Sequence, residues 1–176
     1  VATDFTQNDP KMGEPATERT EVRILYDDEN FYLGVYCYDS DGKEGPIVTQ
    51  VSRDFSPREG DHFTFIVDTF DDNRNGVVFG TNPQGAKREG QMSEDGGRSN
   101  YDWDSIWEVK SKITDAGWQA EFSIPFRTLR FPNTEQQVWG VNFSRRMRRK
   151  DESVHWSPIP RPYRLSRTSR AGELRG

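Results

Sequence analysis

Tyr101, Trp103, Trp107, Trp156 and Tyr163 give this 176-residue chain the side chains that saccharide recognition uses. Flat rings cover the apolar faces of a sugar while planar polar groups take its hydroxyls. Trp156 is the best placed, because His155, Ser157 and Pro158 around it read as a loop, and functional side chains concentrate on loops. Trp103, Trp107 and Trp118 have the alternative of packing in a core, where tryptophan is highly buried on average. Oxygen ligands also cluster. Asp39 and Asp41 close one strand-like run and Asp61 opens the next, so in adjacent antiparallel strands the three carboxylates could converge on one calcium ion. A second cluster, Asp71, Asp72, Asn73 and Asn75, has the composition of a calcium loop without the EF-hand spacing. Both clusters also read as solvated turn residues, since turns favour Asp and Asn.

Other chemistries lack their parts. Haem ligation would draw on His62, His155, Met12, Met92 or Met147, and there is no Cys-x-x-Cys-His, so no haem is expected. Asp104, Glu108 and Glu121 are carboxylates of the kind glycosidases use, but pairing with Arg145, Arg146 or Arg148 explains them equally well. No Gly-x-Ser-x-Gly, phosphate loop or histidine triad is present. These observations favour a binding module over an enzyme. A net charge of −5 counts against a nucleic-acid partner, which needs a basic surface to displace counterions. The basic residues gather late in the chain, in Arg145, Arg146, Arg148, Arg149 and Lys150. That run either pairs with the protein's own acidic face or meets an anionic ligand or membrane surface. The single Cys37 excludes an internal disulfide and a cysteine-based zinc site, and reads as a small buried residue.

The elements that position these residues are strands. Thr20–Tyr26 and Phe31–Tyr38 alternate around the turn Asp27-Asp28-Glu29-Asn30, with Phe31, Leu33, Val35 and Cys37 facing together. His62–Thr69 and Val77–Thr81 form a second hairpin around an Asn-Gly turn, and Trp103–Ile113 and Gly117–Ile124 a third. Val138–Met147 is the last clear strand, with Trp139, Val141 and Phe143 inward and Asn142, Ser144 and Arg146 outward. Residues 1–19, 39–61 and 82–101 read as polar segments or loops, and 126–131 as a short helical or 3₁₀ turn. Eleven Phe, six Tyr and five Trp argue against disorder and put the core in large rings. No apolar run approaches the ~20 residues of a membrane helix. Eight to ten strands without intervening helices predict an all-β, antiparallel sandwich with long polar loops.

The succession TEVRILYDDENFYLGVYCYDSD (20–41), GDHFTFIVDTFDDNRNG (60–76), FGTNPQGAKREG (79–90), WDSIWEVKSKITDAGWQAEFSIPFRTLRFP (103–132) and VWGVNFSRRMRRKDESVHWSP (138–158) resembles the family 9 carbohydrate-binding module-like domain. More narrowly, it resembles the version that precedes an outer-membrane β-barrel-like region in exported bacterial proteins. The resemblance covers about residues 4–176. It implies an immunoglobulin-like sandwich related to DOMON folds, an oligo- or polysaccharide ligand and structural calcium. It further implies a periplasmic or cell-surface location, associated with the outer membrane. Residues 1–170 would form the module, and 171–176 the start of a linker to an adjoining barrel. Of the family's sugar site, the late loop offers Trp156 and Tyr163 as stacking rings and Asn82 matches an asparagine of the central strand; Asn82 and Arg88 would bond the hydroxyls. Calcium would fall to Asp39, Asp41 and Asp61. The chain departs from the family pattern where one clamp tryptophan is expected and Phe55-Ser56-Pro57-Arg58 stands, and where an acidic residue is expected and Thr64 stands. A domain that keeps the sandwich, has lost the sugar site and docks through its arginines is the alternative.

Overall fold

The computed structural model describes residues 1–176 as two antiparallel sheets packed face to face. The smaller sheet has the order β2-β3-β9-β8, from Thr20–Tyr26, Asn30–Tyr38, Gly117–Pro125 and Glu108–Thr114. The larger has eight strands. Its main path, β1-β11-β10-β4-β5-β6-β7, runs through Thr6–Asp9, Glu152–His155, Val138–Met147, His62–Asp68, Gly76–Thr81, Lys87–Ser93 and Arg98–Asn100. β12, Gly172–Arg175, also pairs with β10. β4 takes one edge of β10, while β11 and β12 share the other edge in two halves.

Period-2 alternation builds the core. Phe31, Leu33, Val35 and Cys37 from β3 and Trp118, Ala120, Phe122 and Ile124 from β9 face Phe63, Phe65, Phe79, Val141 and Phe143 of the large sheet, all buried in one cluster. The rings meet edge to face and in offset stacks, as at Phe65–Phe122 (centroids 5.2 Å apart) and Trp107–Phe122 (5.8 Å). Twelve strands form where eight to ten were expected. Segment 82–101, expected as loop, holds β6 and β7. β8 starts only at Glu108, not at Trp103. Residues 171–176, expected as a linker start, contain β12 laid against β10.

The basic run is spent inside the domain. Arg146 and Arg148 both reach Asp151, and Arg149 lies between Asp39 and Asp41, 2.7 and 2.9 Å away. Lys150 pairs with Glu18. Burial pushes the Glu18 carboxyl up, but the Lys150 ammonium and the hydroxyl and amide of Ser40 together hold it below the usual range. Arg145 turns inward and is completely buried. No helix is long and apolar enough to cross a membrane.

Candidate functional site

On the outer face of the large sheet, strand register sets Arg88, Gly80, Thr64, Ser144 and His155 side by side across β6, β5, β4, β10 and β11. Their neighbours along the strands, Phe63, Phe65, Phe79 and Phe143, point into the core, so this row points out. Gly80 makes its floor. A Cβ there would stand 2.8 Å from the Thr64 hydroxyl and 3.3 Å from the Phe63 carbonyl, so only glycine leaves the hydroxyl reachable. Thr64 and Ser144 are half-buried, and neither hydroxyl bonds within the chain. Arg88 donates to the Phe55 carbonyl at 3.0 Å and lays its guanidinium over the Tyr101 ring, 4.2 Å from the centroid. It joins no ion pair, so most of its donors are free. On the next row His62 lies across from Arg146, with the Phe55 ring 6.0 Å away.

Residues 156–171 supply the other wall. They leave the β10 edge at Trp156 and return to it at Gly172. Ser157 and Asn142 exchange hydrogen bonds of 2.9 and 3.0 Å at the start. Asn8 holds the Ile159 carbonyl, and Arg161 bonds the Asn8 and Pro10 carbonyls at the β1 edge. Leu165 then packs on Ile66, Val78 and Met92 of the outer face. Tyr163 lies in the chain between these anchors, 37% exposed, with the Arg167 guanidinium 4.3 Å above its ring. Asp95 ties down the far end through Arg167, Thr168 and Ser169.

Of the sequence-derived residues, Arg88 belongs to this row, and Tyr163 to the segment whose Leu165 packs on the same face. Asn82 and Trp156 do not join them. Asn82 is buried, and its side chain is committed to the amides of Gln84 and Ala86 and the Gln50 carbonyl, which fixes the turn that starts β6 and so aims Arg88. Trp156 continues β11 opposite Phe143, with ring centroids 5.4 Å apart, and therefore faces inward. It lines a cavity of about 610 Å³ between the sheets, together with Phe31, Phe126, Phe131, Trp139 and Leu174. Its ring lies flat against Gly172, where a Cβ would come within 2.5 Å. Trp156 is half-buried rather than exposed, because one residue past the end of β11 it keeps that strand's alternation and turns toward the core. Thr64 and Ser144 were missed because a row across five strands appears only once register is known.

Asp39 and Asp41 share the Arg149 guanidinium, and Asp61 accepts the Arg148 amide at 2.9 Å. No group of three His, Cys, Asp or Glu side chains is arranged to hold a metal ion. A calcium ion at Asp39 and Asp41 would have to displace Arg149.

His155 closes the row at β11, 7% exposed, and burial presses its pKa down to about 4 although Asp9 pulls it up. Its ordinary pKa is about 6.5, so between about pH 6.5 and 4 the unfolded chain binds the proton that the folded one refuses. This contribution is complete above about pH 6.5 and is lost as pH falls toward 4, at up to about 1.4 kcal/mol per pH unit. Urea unfolding of wild type and His155→Gln at pH 7, 5.5 and 4.5 checks it. The variant should show the shallower pH dependence.

No protein family matches the sequence, and no curated protein matches it significantly. Solved structures do match. A protein from Bacteroides uniformis described as carbohydrate-binding superposes with a TM-score of 0.72 at 16% identity, over 98% of this chain and 86% of that one. A family 9 carbohydrate-binding module from Caldicellulosiruptor kristjanssonii in complex with glucose gives 0.61 at 13% identity, over 97% and 82%. The same organism's family 9 module in complex with cellotriose gives 0.57 at 15% identity, over 96% and 80%. The shared property at these identities is the fold.

Proposed function

We propose that this chain is a non-catalytic saccharide-binding module whose ligand lies on the outer face of the large sheet, between Tyr163 and the Arg88–Tyr101 pair. The observation that carries the reading is the row itself: two free hydroxyls and a largely free guanidinium over a glycine floor, with rings at its margins. Rings suit the C–H faces of a pyranose, and the hydroxyls and guanidinium suit its oxygens. The row carries no carboxylate, so it lacks the pair of acids that glycoside hydrolysis uses. Structures of this fold that hold glucose and cellotriose support the ligand class. The docking alternative has less support, because Arg145 is buried, Arg149 is paired with Asp39 and Asp41, and Arg146 and Arg148 share Asp151.

One stacked ring and a few hydrogen bonds supply on the order of 1 kcal/mol each, which places dissociation constants near the millimolar end. Calorimetric titration with gluco-, xylo- and manno-oligosaccharides tests the reading. Arg88→Ala and Tyr163→Ala should each weaken binding about fivefold with little change in melting temperature. Trp156→Ala should do the reverse, lowering the melting temperature and sparing affinity. No heat with any saccharide, or an affinity lost only in Trp156→Ala, would remove the outer-face site.

A further inference from the structure

We infer that the outer face of the small sheet holds a second saccharide site, a cup centred on Gly34. It rests on the reading above only for the class of ligand; its place and residues are independent. In β3 the outward positions are Tyr32, Gly34, Tyr36 and Tyr38, the alternate set to the buried Leu33, Val35 and Cys37. Gly34 interrupts a line of rings. Nothing lies within 4 Å of where its Cβ would be, so the gap is open space rather than a close approach of backbone. Tyr32 and Tyr36, four residues apart on an extended strand, have Cα atoms about 13 Å apart and stand on either side of it. Across the sheet the register places Arg23 on one flank of Gly34 and Glu121 on the other, with Lys110 beyond Glu121. The result is a depression of about 360 Å³ walled by Tyr32, Tyr36 and Leu25, with Arg23, Gln119 and Glu121 at its rim.

These parts select a sugar ring. A tyrosine wall can take one C–H face of a pyranose seated over the glycine. Arg23 offers only donors, Glu121 only acceptors and Gln119 both, which matches hydroxyls that donate and accept. Glu121 and Lys110 join no ion pair within the chain, and the Arg23 guanidinium leans over Tyr36, 5.7 Å from its centroid. Tyr36 is 37% exposed. A protein partner fits less well. Stable protein interfaces bury about 800 Å² per side around an apolar centre, whereas this face has a hollow centre ringed by charge. The volume lies at the small end of the about 300–1,000 Å³ typical of ligand clefts, the size for one or two sugar units.

Amide chemical shifts of the isotope-labelled protein, titrated with cellotriose, xylotriose and mannotriose, separate the two faces. Tyr32, Gly34, Tyr36 and Glu121 report on this cup; Thr64, Gly80 and Ser144 report on the large sheet. We expect at least one trisaccharide to shift the first group with its own millimolar isotherm. Gly34→Val fills the cup with a residue that strands favour, so it should hold or raise the melting temperature while weakening that isotherm at least tenfold. Tyr36→Ala, at an exposed position, should weaken it similarly if the valine perturbs the strand. Shifts confined to the large-sheet group, or cup shifts that survive both variants, would overturn this site and leave the other standing. Cup shifts alone would overturn the large-sheet site instead. Silence from both groups with every saccharide would overturn both.

Discussion

Phe122→Ala is expected to lower the unfolding free energy by about 3–5 kcal/mol, the range for removing a fully enclosed phenylalanine. Phe122 is 1% exposed and projects from β9 into the centre of the opposing sheet. Its ring meets Phe65 edge-on at 5.2 Å, stacks on Trp107 at 5.8 Å and approaches Phe63 at 6.2 Å. Those three neighbours come from β4 and from the segment before β8. The cavity left behind would therefore open between sheets that cannot collapse into it without breaking strand register. The cost combines lost transfer energy with that cavity. Denaturant unfolding should show a lower midpoint with an unchanged slope. A loss below about 1 kcal/mol would mean that the sheets slide together and that the core is less tightly interlocked than its ring geometry implies.

The same interlocking explains what could be read from the sequence. β2, β3, β4, β9 and β10 were legible almost residue for residue: buried and open positions alternate along β3 and most of β9, and β4 and β10 place Phe63, Phe65, Val67, Trp139, Val141 and Phe143 at every second position in the core. β6 was not. Its inward residues Lys87, Glu89 and Gln91 lie where the eight-stranded sheet overhangs the four-stranded one. Lys87 and Glu89 meet the 101–107 segment, at the Trp107 carbonyl and the Ser105 amide, and Gln91 is exposed. A strand with no apolar face has no period to detect. β11 and β12 each fill half of one edge of β10 and send in only Val154 and Leu174, too few to show alternation. The site follows the same division. Arg88 and Tyr163 could be named from the sequence, but Trp156 was misplaced because β11 was unseen, and Thr64 and Ser144 wait on the pairing of five strands.

Arg145 was legible by parity alone, since it follows Val141 and Phe143 on the inward side of β10, yet it reads as part of a surface basic run. It is fully buried. One guanidinium nitrogen donates to the Arg19 carbonyl at 3.0 Å and the Thr20 hydroxyl at 3.2 Å, and another to the Tyr38 carbonyl at 2.7 Å. It thereby bolts the start of β2 and the end of β3 to the large sheet. No carboxylate lies within ion-pair distance of it, but its charge reaches Asp61, whose carboxyl burial drives up while Arg145 pulls it back. Arg145→Ala is expected to cost about 3–5 kcal/mol at pH 7, since it removes three charge-assisted bonds, opens a cavity and strips Asp61 of its nearby positive charge. The loss should depend on pH. A carboxyl whose pKa is raised on folding favours the folded state only while protonated, and that support declines as pH rises past its unfolded value near 3.9. Without Arg145 the Asp61 carboxyl rises further, so the penalty should be larger at pH 7 than at pH 4. Arg145→Met distinguishes bonding from desolvation. It removes the buried charge but fills most of the space, and it should still lose stability because the Tyr38 carbonyl is left unpaired in the interior. A methionine variant more stable than wild type would show that desolvating the guanidinium costs more than its three bonds return, and the bolt would then have no stabilising role.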